Sequence, residues 1–343
     1  MKVGVLTGGG DCPGLNAVIR AVVRKAERVF GDEVIGFLDG WAGVVDKKFM
    51  TLDVEGMRGT LPKGGTILGT SRSNPGLYEG GFEQAKHNLD ELGVDALIVI
   101  GGDGTLKCAD RLHQLGGNVI GVPKTIDNDI AGTEYTFGFN TAVQIATDLI
   151  DRLHTTAESH NRVMVVEVMG RHVGHVAVHA GIAAGASVIL VPEHPFDIAE
   201  VCERITRRHG RGRYASIVVV AEGARPIDGT FDGLQEEFDQ WGNPKLGGMG
   251  DLVGRAIAER TGFDARVTVL GHVQRGGTPT AYDRVLCTRF GVAAIDAVHD
   301  RASGMMVALQ SDRIVRIPLA DVVGFEKPVR DDLYKDVAEV FFA

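Results

Sequence analysis

Short apolar runs alternate with helical stripes along this chain, and the runs end on glycine and charge. Val3 to Leu6, Val34 to Leu38 and Ala96 to Ile100 are almost wholly apolar, which predicts strands buried on both faces, as in a parallel sheet. Between the first two, Leu15, Val18, Ile19, Val22, Val23 and Ala26 fall at helical spacing and form one apolar face. Val119 to Val122 repeats the strand pattern. From residue 140 the alternation resumes, with Asn140 placed to cap a helix whose Ala142, Ile145, Ala146, Leu149, Ile150 and Leu153 form a stripe. Further strands are predicted at Val163 to Val168, Val188 to Val191, Ile217 to Ala221 and Arg266 to Leu270, with a helical pattern at Ile198, Val201 and Ile205. A long helix from Ala281 to Val298 and two short strands near Val307 and Ile314 return the chain to its first half. The pattern is α/β in two lobes, residues 1–139 with about 277–343, and about 140–276.

Polar groups collect where the strands end, which in an open α/β sheet is where ligands bind. Thr7-Gly8-Gly9-Gly10-Asp11-Cys12-Pro13-Gly14 joins strand to helix, and glycines there let backbone N–H groups and the positive helix end reach a phosphate. No G-K-[ST] follows and the spacing is not G-x-G-x-x-G, so the turn is neither a P-loop nor a dinucleotide fingerprint. Trp41 either stacks on an adenine or covers the core. Arg72, between Ser71 and Ser73 in the glycine-rich stretch from Lys63, could bridge phosphates with its planar fork. In Gly101-Gly102-Asp103-Gly104-Thr105, Asp103 opens a helix and can ligate magnesium while flanking amides hold phosphate oxygens.

The densest cluster is Pro123-Lys124-Thr125-Ile126-Asp127-Asn128-Asp129, with two carboxylates, a hydroxyl and an ammonium on one turn. It is either a solvated surface loop or a phosphoryl-transfer centre in which one carboxylate is a base and another helps hold a metal. The second half contributes arginines instead: Arg162, Arg171, Arg266 and Arg275. Singly such residues are surface ion-pair partners. Together they suit a doubly charged phosphate monoester.

Composition sharpens this picture at four points. A length of 343 residues accommodates two lobes, and 47 glycines fit strand-end turns where backbone approaches a ligand. A net charge of -9 argues against nucleic acid or an anionic membrane as the main partner. Cys12, Cys108, Cys202 and Cys287 lie far apart with no metal-ligand spacing, as reduced thiols would. The first residues enter a strand at once and no apolar run reaches membrane-spanning length, so a soluble, cytoplasmic protein is expected.

Taken together, Gly8 to Arg20, Gly101 to Thr105, Pro123 to Asp129, Met169 to Gly174 and Gly271 to Gly277 resemble the 6-phosphofructokinase family, in order and across nearly the whole chain. The resemblance implies two Rossmann-like three-layer α/β/α lobes with mostly parallel sheets and the active site between them. It implies transfer of a phosphoryl group from ATP, with Mg²⁺, to the 1-hydroxyl of fructose 6-phosphate, the step that yields fructose 1,6-bisphosphate in glycolysis. Asp127 would be the base; Thr125 and Asp129 would support the transferring phosphoryl and its magnesium, and Asp103 would bind magnesium. Arg72 and Arg171 would neutralise phosphoryl charge, while Gly10, Ser73, Gly102, Gly104 and Thr105 would line the donor. Ile126, Met169, Gly170 and Glu222 would contact the sugar, and Arg162, Arg266, His272, Val273, Gln274 and Arg275 the acceptor and its 6-phosphate. Arg162 and Arg266 reach a neighbouring subunit's site in the family, which implies a homo-oligomer, a tetramer or dimer. His272 taken alone reads as a satisfied structural histidine.

The donor is where this sequence departs from the simplest pattern. ATP users of the family carry glycine at the positions of Gly104 and Lys124, and pyrophosphate users carry aspartate and lysine. This chain has one mark of each. An aspartate at 104 would put bulk and negative charge where the α-phosphate must lie, whereas Lys124 obstructs nothing, so ATP is expected. The alternatives are a pyrophosphate-dependent enzyme and a kinase of another sugar phosphate such as sedoheptulose 7-phosphate. At the effector site of the regulated bacterial enzymes, Ala21 and His154 stand where basic residues are expected, with Lys25, Arg211 and Arg213 remaining.

Overall fold

Apolar strand runs of the predicted kind pair side by side in two sheets of a computed structural model that describes residues 1–231 and 247–342. The chain divides into two units, Met1–Thr141 with Arg275–Glu326, and Ala142–Gln274 with Lys327–Ala343. The first contains β1 (Lys2–Thr7), α1 (Leu15–Lys25), β2 (Glu33–Phe37), α2 (Trp41–Val45), β3 (Phe49–Leu52), α3 (Gly81–Glu91), β4 (Ala96–Gly101), α4 (Asp103–Gln114), β5 (Val119–Thr125) and β6 (Phe137–Gly138). Then α5 (Phe139–His160) leads into β7 (Val163–Val168), α6 (His175–Ala183), β8 (Val188–Leu190), α7 (Ile198–Gly210), β9 (Ser216–Ala221), α8 (Met249–Thr261) and β10 (Ala265–Val269). Finally α9 (Ala281–His299), β11 (Met305–Gln310) and β12 (Arg313–Pro318) complete the first unit. The class is mixed α/β with mostly parallel sheets.

The first sheet runs β12-β11-β5-β4-β1-β2-β3, with β6 on β5. Among the described residues only β3 and β12, at its two edges, pair antiparallel. Leu6, Phe37, Leu97, Val99, Leu106 and Met306 pack in its core, together with Trp41, which is 1% exposed and covers the core rather than offering a face to a ligand. Strand order reverses between β1 and β4, since the chain leaves β1 toward β2 on one side and β4 toward β5 on the other. That switch point brings the exits of β1, β4 and β5 together at one sheet edge. The second sheet, β10-β7-β9-β8, is wholly parallel.

Two expectations are corrected. Asn140 is the second residue of α5 and does not cap it; its Oδ1 accepts from Thr280 Oγ1 at 2.7 Å. The capping acceptor is the buried Asp283, whose carboxylate takes the amides of Gly138 (3.1 Å) and Thr141 (2.8 Å). Residues 327–342, expected in the first lobe, group with the second unit, where Tyr334 donates its hydroxyl to Ile189 O at 2.7 Å. Among the described residues no helix is long and apolar enough to cross a membrane, and all four cysteines are buried and free.

Candidate active site

At the exits of β1, β4 and β5 the first unit gathers the predicted donor and base residues. β5 extends through Thr125, and the cluster after it is almost wholly buried: Lys124 is 4% exposed, Thr125 7%, Asp127 4%. A solvated loop is thereby excluded. Ile126 is buried beneath the turn, with no exposure left for a sugar in this conformation. Asn128 takes a left-handed backbone (φ 55°), and its Oδ1 accepts from Thr136 N at 3.0 Å, fixing the turn. Thr125 Oγ1 accepts from Asp127 N at 3.0 Å. Asp127 Oδ1 is buried and finds no hydrogen-bond partner among the described residues. An acceptor buried without a partner is costly, and a substrate proton would satisfy it.

The glycine-rich turn after β1 is held from several sides. Gly8 N donates to Ile100 O (2.9 Å) and Gly9 N to Ser71 O (2.9 Å), so these amides serve the fold and are not offered to a phosphate, as had been expected. Lys124 Nζ donates to Gly10 O at 2.6 Å, and Arg275 donates to Asp11 O at 3.2 Å. A side chain on Gly10 would collide with the Arg275 guanidinium at 2.6 Å. Burial is the largest influence on Lys124 and lowers its pKa, against upward pulls from Cys12, Asp127 and Asp129.

Gly102 precedes α4 in extended backbone, and Thr105 is wedged against Gly8 and Gly101, a packing role beside its predicted donor contact. At Gly104 a Cβ would meet nothing within 4 Å. Asp103 opens α4; its Oδ1 accepts from Gly324 N (2.8 Å) and its Oδ2 pairs with Lys107 Nζ (2.6 Å). Arg72 is exposed, while Ser73 Oγ accepts from Ala42 N at 2.9 Å and so is occupied at the start of α2.

Among the described residues no group of three or more His, Cys, Asp and Glu side chains is placed to hold a metal. Mg²⁺ needs less, since it keeps waters and binds through one or two carboxylates plus phosphate oxygens. Asp103 and Asp129, which follow the adjacent strands β4 and β5, are oxygen donors of the kind that ion takes, although Asp103 already engages Gly324 N and Lys107 Nζ.

In the second unit Met169, Gly170, Arg171 and Glu222 follow the exits of the neighbouring strands β7 and β9 and His272 follows β10, whereas Arg162 and Arg266 lie at the opposite, entry end of β7 and β10, against the expectation of strand-end arginines, and Arg275 falls in the first unit. Glu222 Oε1 accepts from Gly170 N (3.3 Å) and Arg171 N (3.0 Å), and Gln274, fully buried, accepts from Met169 N at 3.4 Å. Arg171 is exposed with φ 53°. His272 and Val273 are exposed, so His272 is not packed in as a structural histidine would be. Arg162 and Arg266 both pair with Asp264, at 2.5 and 3.2 Å.

One set of residues escaped the sequence reading. Ala21, expected near an effector, is 2% exposed, and Lys25 is paired with Asp296. Arg20, Arg24, Arg28 and Arg58 instead line a cavity of about 320 Å³. The signal was present, because Arg20, Arg24 and Arg28 recur every fourth residue beside the apolar stripe of α1.

Residues 2–298 match the sequence profile described as Phosphofructokinase. The chain is 57% identical over 343 residues to the pyrophosphate–fructose 6-phosphate 1-phosphotransferase of Streptomyces coelicolor, covering all of both chains. It is 54% identical over 330 residues to the ATP-dependent 6-phosphofructokinase of Corynebacterium efficiens, covering 96% of this chain and 95% of the relative. Among solved structures, Pichia pastoris phosphofructokinase in the T-state superposes with a TM-score of 0.84 at 36% identity; the match covers 94% of this chain and about a third (35%) of that one.

Proposed function

The chain belongs to the phosphofructokinase family, and on that premise we propose that it transfers a phosphoryl group from ATP to the 1-hydroxyl of fructose 6-phosphate, giving fructose 1,6-bisphosphate and ADP. The observation that carries the chemistry is Asp127, a buried carboxylate with one oxygen unsatisfied, just past the exit of the central strand β5. Phosphoryl transfer asks little covalent chemistry of a protein and depends on positioning and charge stabilisation. Asp127 takes the proton of the attacking hydroxyl, and Thr125 supports the transferring group. Arg72 and Arg171 neutralise charge on the phosphoryl oxygens. Met169, Gly170 and Glu222 hold the sugar, while His272 and Arg275 hold its 6-phosphate. Asp103 and Asp129 would hold Mg²⁺, which would supply charge neutralisation when bound.

ATP as donor rests on Gly104, whose missing side chain leaves open space at the start of α4. A second reading, pyrophosphate as donor, is favoured by the buried Lys124 and by relatives named pyrophosphate–fructose 6-phosphate 1-phosphotransferase at 56–57% identity. An assay with fructose 6-phosphate, Mg²⁺ and either donor separates them: turnover with ATP is expected, and turnover with pyrophosphate alone reverses the assignment. We further propose a homo-oligomer in which Arg162 and Arg266 serve a neighbouring subunit's site, for which the exposed Val269 on edge strand β10 offers apolar contact. A single-subunit mass in solution at micromolar concentration would sink that part.

A further inference from the structure

The loop that carries Arg171 is clamped at both ends by carboxylates that accept its backbone amides. At its start, Glu222 Oε1 takes the amides of Gly170 and Arg171. The backbone there is strained, with a non-glycine φ of 53° at Arg171 and a φ of 149° at Gly170. Gly223 lets the carbonyl of Arg171 come so near that a Cβ at 223 would lie 1.9 Å from it. At its end, Glu193 takes the amide of Gly174 with both oxygens, at 3.0 and 3.1 Å, at the first turn of α6. The same Oε1 accepts from Val329 N at 2.9 Å, in the carboxyl-terminal segment, and Lys327 O lies 2.9 Å from His175 Nε2. Strain of this kind persists only where its surroundings over-determine it.

We propose that Glu193 is a positioning residue for the reaction: through Gly174 it fixes the 170–174 loop that aims Arg171, and through Val329 it makes that aim depend on the carboxyl-terminal segment. The inference rests on the reading of Arg171 as the phosphoryl-neutralising arginine. Glu193 touches neither substrate. Its effect falls on kcat, because a misaimed guanidinium loses charge stabilisation that matters in the transition state.

The test is a double-mutant cycle with Glu193→Ala and Arg171→Ala in the full-length chain, read as kcat and KM for fructose 6-phosphate. Glu193→Ala should lower kcat about 10- to 100-fold, the cost of an ångström-scale misplacement, with KM little changed. In the Arg171→Ala background it should cost no more than about twofold. Glu193→Gln, which keeps one carbonyl acceptor for the two amides, should recover most of the loss. A kcat for Glu193→Ala within about twofold of the parent, or the full loss repeated without Arg171, overturns the proposal. Arg171→Ala with parental kcat overturns instead the reading of Arg171 on which it rests. Should Glu193→Ala fail to fold, Val329→Pro removes one N–H donor and leaves Glu193 in place. It should lower kcat several-fold, and an unchanged kcat would detach the carboxyl-terminal segment from the loop.

Discussion

Lys124 Nζ donates to the carbonyl of Gly10 across 2.6 Å, so a buried cation straps the glycine-rich turn before any phosphate arrives. Arg275 does the same to the next carbonyl, that of Asp11. The ammonium is held at a cost, since burial lowers its pKa, the direction expected when the charged form is disfavoured. Lys124→Met keeps the stem and removes that cost but also leaves the Gly10 carbonyl without its donor, so the two effects oppose and the melting temperature should change little. The strap is lost, and a hydrogen bond from a charged group is worth roughly 1.5–3 kcal/mol. The KM for the phosphoryl donor should therefore rise about tenfold. A donor KM equal to the parent's would mean that the turn keeps its shape without the lysine.

Asp127 should show activity and stability moving in opposite directions. Its Oδ1 is buried without a partner, a penalty of roughly 1–3 kcal/mol that an uncharged amide partly avoids. Asp127→Asn should then unfold at equal or higher denaturant concentration than the parent. As the base it should lose about 10²- to 10⁴-fold in kcat. Fructose 6-phosphate binding, measured calorimetrically, should be largely kept. Near-parental kcat would remove Asp127 from the role.

The parts of this fold that were legible beforehand are those whose cause is local. β4 ends on glycine and β5 opens with the apolar run Val119 to Val122 before Pro123, and no neighbour is needed to recognise either. β3 at the sheet edge leaves Phe49 and Met50 about 40% exposed and gives no clean alternation. α6 is apolar on nearly every side, so periodicity is silent there. The cap of α5 came from Asp283, far along the chain, while the sequence offered the adjacent Asn140. The same limit hid Glu193, whose partners Gly174 and Val329 meet only in the folded chain. The places of Asp127, Asp103 and Arg171 after β5, β4 and β7 were legible because a charged turn that follows an apolar run is a short-range pattern, and the resemblance rested on the same residues.

His175 makes acid stability a measurable consequence of the packing at the start of α6. Desolvation is the largest influence and pushes its pKa from 6.5 down to about 4, with the nearby Lys327 and His179 charges acting the same way and the hydrogen bond to Lys327 O opposing. A histidine with a depressed folded pKa stabilises fully above its unfolded value. That contribution is lost as pH falls from about 6.5 through about 4, because only the unfolded chain binds the proton there. Over that window the drop is roughly 3 kcal/mol at most, at about 1.4 kcal/mol per unit. His175→Gln, which keeps a donor toward Lys327 O, should flatten this part of the pH dependence. Urea unfolding at pH 7 and pH 5 should show the parent losing more stability than the variant, and parallel losses would assign the acid sensitivity elsewhere.

Gly104 offers the sharpest test of the donor, because the fold places no demand on it. A Cβ there meets nothing within 4 Å, so Gly104→Ala should leave the melting temperature and kcat close to the parent's. Gly104→Asp adds a carboxylate at the first turn of α4, where the macrodipole welcomes it, so stability should again be little changed. Catalysis should respond differently. A carboxylate about 4 Å from a phosphate repels it by several kcal/mol at an effective dielectric near 20, so kcat/KM for ATP should fall at least 100-fold. Pyrophosphate has no α-phosphate beyond the reacting pair, so activity with it should fall less or appear where it was absent. If Gly104→Asp left ATP turnover intact, the open space beside α4 would have no bearing on the nucleotide, and the choice of donor would shift to Lys124.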